Sequence, residues 1–178
     1  MKKNKITHGR KIITVKNGKI SFDIKNGHLL LDSILMAPLN ESEFIKIAKA
    51  NKIEIKNNQT NTFVHTLSTC GELNEFEFGM NFIFENSSMK NVWLSWDGGN
   101  TRKYGYNTTE CQLIADKNNL AKLLTQIFDR TPDEITKTFS AFHFPWGDIS
   151  ASASLQSTIT AIGISWNFEN HAIKDKLI

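Results

Sequence analysis

Among 178 residues there are two cysteines, and no apolar run approaches the ~20 residues of a membrane-spanning helix. Cys70 and Cys111 stand in unlike contexts and form no CxxC pair, so both are read as reduced thiols of a cytoplasmic protein. Met1-Lys2-Lys3-Asn4-Lys5 is basic, but Ile6-Thr7-His8-Gly9-Arg10 brings no apolar stretch behind it, so no secretory signal is expected. Catalytic signatures are missing as well. There is no G-x-S-x-G elbow and no HxH, HxxxH or HExxH spacing, and no cysteine starts a helix beside a histidine. These gaps point away from a disulfide scaffold, a membrane protein and the common hydrolases, and no metal or cofactor is expected.

What the chain does have is apolar bulk: 40% hydrophobic residues, with twelve Phe and four Trp. A chain of this length buries roughly 70% of its extended surface and folds without a metal or disulfide. One domain over residues 11–178 is expected, preceded by a basic tail at 1–10. The net charge of +3 conceals an asymmetry. Seven Lys or Arg residues and no acid precede Asp23, which leaves fourteen basic and eighteen acidic residues and a body near −4. A basic tail on an acidic body argues against nucleic-acid binding, which calls for a basic stripe on the folded face.

Local signals give an α+β class: antiparallel β-meander sheet with two main packing helices. Asn17-Gly18 and Asn26-Gly27 read as two-residue hairpin turns. Their register pairs Lys16 with Lys19, Val15 with Ile20 and Ile13 with Phe22, then Ile24 with Leu29 and Phe22 with Leu31. All of the apolar residues then share one face. Asn40 with Glu43 marks a helix N-terminus, with Leu39 placed to staple onto Phe44. Strands are expected at Ile53-Glu54-Ile55, from Thr62 to Leu67 and from Glu75 to Glu85. In the last of these Phe76, Phe78, Met80, Phe82 and Phe84 alternate without a break, which directs five large apolar side chains one way. A five-residue loop then sets Phe84 against Val92, Phe82 against Leu94 and Met80 against Trp96. A second helix follows from an Asp116 N-cap to Arg130, and strands are expected over 138–144, 149–154 and 158–168.

Three groupings invite a chemical reading. Asp97-Gly98-Gly99-Asn100, with Arg102 and Lys103 after it, resembles a phosphate cradle, but a plain hairpin turn is the simpler reading. His65 and His143, with Asp97 or Asp148, would serve a small hydrolase if they converged; structural histidines are the simpler reading. The third is the outer face of the Phe76–Phe84 strand and its neighbour. Glu75, Glu77, Glu85 and Asp97 there surround Ile83 and Trp93, the aromatic-within-charge pattern of a protein-binding hot spot. A solvated sheet face, or one covered by the second helix, is the competing reading.

Trp93-x-x-Trp96-Asp97-Gly98-Gly99 and Phe144-Pro145-Trp146-Gly147-Asp148 look like family-specific turns. In size, composition and layout the chain resembles immunity proteins of bacterial polymorphic-toxin and contact-dependent growth-inhibition systems. The resemblance implies a cytoplasmic binding protein without catalytic residues, which neutralises one cognate and usually basic toxin domain. The site expected for it is Glu75, Glu77, Ile83, Glu85, Trp93 and Asp97. The alternatives are the His65/His143 hydrolase and a nucleic-acid accessory protein using the Lys-rich tail.

Overall fold

The computed structural model describes residues 18–58 and 61–167. The basic tail, the strand expected before Asn17-Gly18 and Phe168 lie outside the described residues. In chain order the elements are β1 (Gly18–Asp23), β2 (His28–Leu31), β3 (Ile34–Ala37), α1 (Glu41–Ala50), β4 (Lys56–Asn57), β5 (Val64–Leu73), β6 (Phe76–Glu85), β7 (Ser88–Trp96) and α2 (Asn100–Tyr104). A 3-10 turn (Gly105–Asn107) leads into α3 (Glu110–Phe128), β8 (Glu134–Ile135), β9 (Phe139–Phe144), β10 (Gly147–Ser154) and β11 (Ile159–Trp166). The class is α+β. One sheet takes the order β3-β2-β1-β5-β6-β7-β11-β10-β9-β8, with β4 also paired to β5. Among the described residues only the β1–β5 pairing is parallel.

Strict alternation decides which way the sheet faces. Phe78, Met80, Phe82 and Phe84 are fully buried, and Val92, Leu94, Ile162, Ile149 and Phe142 continue that side across the register. Burying each such side chain contributes about 1.5–3 kcal/mol. Both long helices pack on this face. Phe44 of α1 meets Phe82 with ring centroids 4.6 Å apart, and Phe128 of α3 meets Phe142 at 5.1 Å. No described helix covers the opposite face.

The helix starts follow capping chemistry. Asn40 caps α1 by accepting the Glu43 amide, as expected. The second main helix departs from expectation. A capping box between Thr109 and Gln112 starts α3 at Glu110, and Asp116 lies one and a half turns inside it, buried.

Registers differ from expectation by whole pleats, so faces survive while partners change. The β6–β7 turn is Asn86-Ser87, both at positive φ, and a bulge near Ile83 then sets Phe82 against Val92 and Met80 against Leu94. In the β1–β2 hairpin Phe22 meets Leu29, because the connection runs over four residues, Ile24 to Gly27. There Asp23 holds the Asn26 amide, and two buried indoles grip the turn from the core. Trp146 Nε1 donates to Ile24 O and Trp166 Nε1 to Gly27 O, each at 2.7 Å. A Cβ on Gly27 would lie 2.4 Å from the Trp146 ring. Because β1 and β11 are four places apart in the sheet, these contacts require the sheet to curl around its covered side. The strand expected at Ile53-Glu54-Ile55 falls at Lys56–Asn57, and β5 continues six residues past Leu67. Among the described residues no helix is long and apolar enough to cross a membrane.

Replacing Trp166 with Phe keeps the ring and leaves the Gly27 carbonyl without its indole donor. The expected cost is about 1–3 kcal/mol, read as a lower urea midpoint at unchanged slope.

Candidate functional site

The open face is a grid built by strand pairing. Across its centre runs Ser68, Asn81, Trp93, Gly163, Ser150 and Ala141, each directly opposite the next. One pleat towards the β5–β6 turn run Cys70, Gly79, Ser95, Ala161 and Ser152. One pleat the other way run Thr66, Ile83, Asn91, Ser165, Asp148 and His143. The centre is therefore neutral and of low relief, apart from Trp93.

Trp93 is 36% exposed, and the reason lies beneath it. Its ring rests on Gly163, where an added Cβ would come within 2.9 Å of it. Glycine in mid-strand costs about 0.5–1 kcal/mol relative to alanine; here it lets an indole lie against the sheet with its other side outward. Ile83 sits diagonally from Trp93 and is half-buried.

The acids lie at the ends of this face rather than around the indole. Glu77 and Asp97 sit two pleats from Trp93, about 13 Å along the strands. Glu72 stands directly opposite Glu77, a like-charge pair that strand pairing disfavours. Glu75 leaves the strand row: it is the second residue of the Asn74-Glu75 turn, at positive φ and exposed. At the far end Glu85 is paired with Lys90 at 3.1 Å. Of the six residues expected here, Glu77, Ile83, Glu85, Trp93 and Asp97 share this face, with Glu75 at its tip.

The histidines do not converge. His65 lies in phase with Leu67 on the covered side, where its Nδ1 meets Glu41 Oε1 at 2.8 Å. His143 lies on the open side of β9, five places from β5 in the sheet, and is exposed. Its Nδ1 meets Asp148 Oδ1 at 2.6 Å. Each histidine thus has its own carboxylate, on opposite faces of the sheet, and Asp97 joins neither. A hydrolase combining the two has no geometric basis. Among the described residues no group of three or more His, Cys, Asp or Glu side chains is placed to hold a metal.

Asp97-Gly98-Gly99 is a turn leading into the short helix α2, not the plain hairpin turn expected. Asp116 from α3 takes the Asn100 amide at 2.6 Å and its Nδ2 at 2.7 Å, so the donors a phosphate would need are occupied by a buried carboxylate. This contact was invisible in the sequence because sixteen residues separate the partners. Thr108 Oγ1 closes the same loop on Gly105 O at 2.6 Å. Held at both ends, the loop exposes Arg102, Lys103, Tyr104 and Tyr106, the last at 90%.

Past the two-residue β8, the uncovered end of β9 is guarded by side chains. Asp133 accepts the His143 amide at 2.7 Å and Arg130 donates to the His143 carbonyl at 2.8 Å, so two side chains occupy a place where a foreign strand would pair. The hydrogen bond donated by the His143 backbone N–H is the leading cause that holds the Asp133 carboxyl below its ordinary range.

The hydrogen bond to Asp148 raises the His143 pKa above its ordinary value; burial opposes this, and the charges of Asp148, Asp133 and Glu134 add to it. A raised histidine pKa stabilises the fold fully below the unfolded value near 6.5 and ceases to do so as pH rises through the folded value. Replacing His143 with Gln should therefore lower the urea midpoint at pH 6 and leave it unchanged at pH 9. Asp148→Asn should bring the His143 titration, followed by NMR, back towards 6.5.

No family model, curated protein or solved structure matches the chain.

Proposed function

We propose that this chain is an immunity-type binding protein that neutralises a cognate, basic protein toxin through its open sheet face. The observation that carries this is the position of Trp93. It is an outward-facing indole on a seat of glycine, at the centre of a face that no described helix covers. Interface hot spots have this composition: an aromatic at the centre, small neutral neighbours that permit close approach, and charge at the rim. The rim carboxylates of Glu72, Glu77 and Asp97 would steer a basic partner and set its orientation more than its affinity. The exposed Tyr104, Tyr106 and Arg102, on an anchored loop beyond Asp97, extend the surface with residue types common at interfaces. Such a protein would act in the cytoplasm, where Cys70 and Cys111 stay reduced.

The test begins with capture of the tagged protein from its native host and identification of a stoichiometric basic partner. Against that partner the Glu77→Gln/Trp93→Ala/Asp97→Asn variant should lose at least about 30-fold in affinity, the size of one hot-spot residue of ~2 kcal/mol, while its circular dichroism shows the fold retained. A triple variant that binds as well as the wild type would refute the surface assignment.

A further inference from the structure

We infer that the covered side of the sheet carries a second site, a cleft between α3 and the ends of β6 and β7 that takes a flat aromatic carboxylate. Phe76 and Trp96 stack on its ring, and Lys122 holds its charge. The site is independent of the proposed toxin surface, which lies on the other side of the sheet.

An incomplete cover is the starting point. Phe76 and Trp96 belong to the covered side, in phase with Phe78 and Leu94, which are fully buried. Both are nevertheless only half-buried. Helix α3 packs chiefly over β10 and β11, so it meets this corner with its flank. What remains is a cleft of about 370 Å³ lined by Phe76, Trp96, Asn119, Lys122, Leu123 and Gln126. That volume falls in the range of small-ligand pockets and suits a molecule of one or two rings.

The aromatic wall is held in place. The rings of Phe76 and Trp96 stand 5.1 Å apart at 44°. The turn after β7 lies against the indole: a Cβ on Gly98 would come within 2.7 Å of it and one on Gly99 within 3.3 Å. That turn is tied to α3 by the bonds from Asn100 to Asp116. A fixed indole stacks on a ring at little entropic cost.

The helix wall supplies the polar groups. Asn119, Lys122 and Gln126 follow at i, i+3 and i+7 along one face of α3, over a span of about 10 Å. None of the three has a hydrogen-bond or ion-pair partner among the described residues. Lys122 is the one charged side chain of the six. An ammonium beside two carboxamides suits a single negative charge. Lys122 pairs with one carboxylate oxygen, while the amides, each both donor and acceptor, bond the other oxygen and any polar ring atom. A phosphate calls for a helix N-terminus or a bidentate arginine, and α3 begins at Glu110, nine residues before Asn119.

The probes are 1-naphthylacetate, its uncharged amide and 2-(1-naphthyl)ethylamine, titrated calorimetrically against the full chain. The acid should bind one-to-one with a dissociation constant of about 10–200 μM, the range open to a ligand of roughly 14 non-hydrogen atoms. The amide should bind about tenfold more weakly, the size of one charge-assisted contact. Lys122→Met keeps a good helix former at an exposed position, so circular dichroism should show the fold retained. This variant should bind the acid about tenfold more weakly and the amide unchanged. In NMR spectra the indole N–H signal of Trp96, assigned through Trp96→Phe, should shift on binding, while that of Trp93, on the opposite face, stays in place.

Equal affinity for acid and amide, tightest binding of the amine, or an equal loss of acid and amide in Lys122→Met overturns the assignment of an anion. A shift at Trp93 instead of Trp96 overturns the site. Absence of heat and of any shift with all three probes overturns both. Neither Trp96 nor Lys122 belongs to the proposed toxin surface, so each of these failures leaves that reading standing.

Discussion

Everything in this molecule depends on one sheet face being filled by aromatic and aliphatic side chains while the other is left open. The row Phe78, Met80, Phe82 and Phe84 is continued by Leu94, Ile162, Ile149 and Phe142, and both α1 and α3 are spent on covering it. With those helices on one side, the outward row of the same strands faces solvent. Strand periodicity of two makes the two outcomes inseparable: any residue between two buried phenylalanines is outward.

A sheet of this breadth with helices on one side needs something to set its curvature. The indoles of Trp146 and Trp166 supply it, reaching from the β10–β11 end to the carbonyls of Ile24 and Gly27. At the opposite end the buried Asp116 does comparable work, organising the Asn100–Tyr106 segment from within α3. A buried carboxylate is costly unless its hydrogen bonds are met, and here two donors from one asparagine meet them. The lone ammonium buried in α3 follows the same rule. Lys117 reaches the Thr136 carbonyl at 3.1 Å, and burial lowers its pKa. These anchors keep the surface groups above them in place, which spares a partner the entropy of ordering them.

Much of the candidate site was legible because it depends on parity alone. Glu77, Ile83, Glu85 and Trp93 share a face in any register that buries Phe82 and Val92, so the two-residue error in the β6–β7 pairing left that grouping intact. Glu75 was misplaced because a tight turn consumed it. Gly163 was legible as a letter but not as a device: nothing local marks it as the seat of Trp93, which lies seventy residues earlier. The histidines failed as a pair for the same reason. Their strands looked alike, but sheet order and face are settled by partners far along the chain.

The sequence by itself determined the class of the fold, the buried face of each long strand and the cap that starts α1. Each follows from side-chain period or from a cap within four residues. Only the tertiary structure decided the strand order, the pairing partners across the sheet and the conversion of Asp116 from expected cap to buried anchor, whereas the start of α3 follows from a capping box whose partners, Thr109 and Gln112, are three residues apart. It also decided that neutral residues ring Trp93 while the carboxylates stand at the rim. The Asp116 anchor and the indole clamp on the β1–β2 turn rest on contacts between residues sixteen, 122 and 139 positions apart. Such contacts have no local signature, because their energy appears only when the chain has already folded.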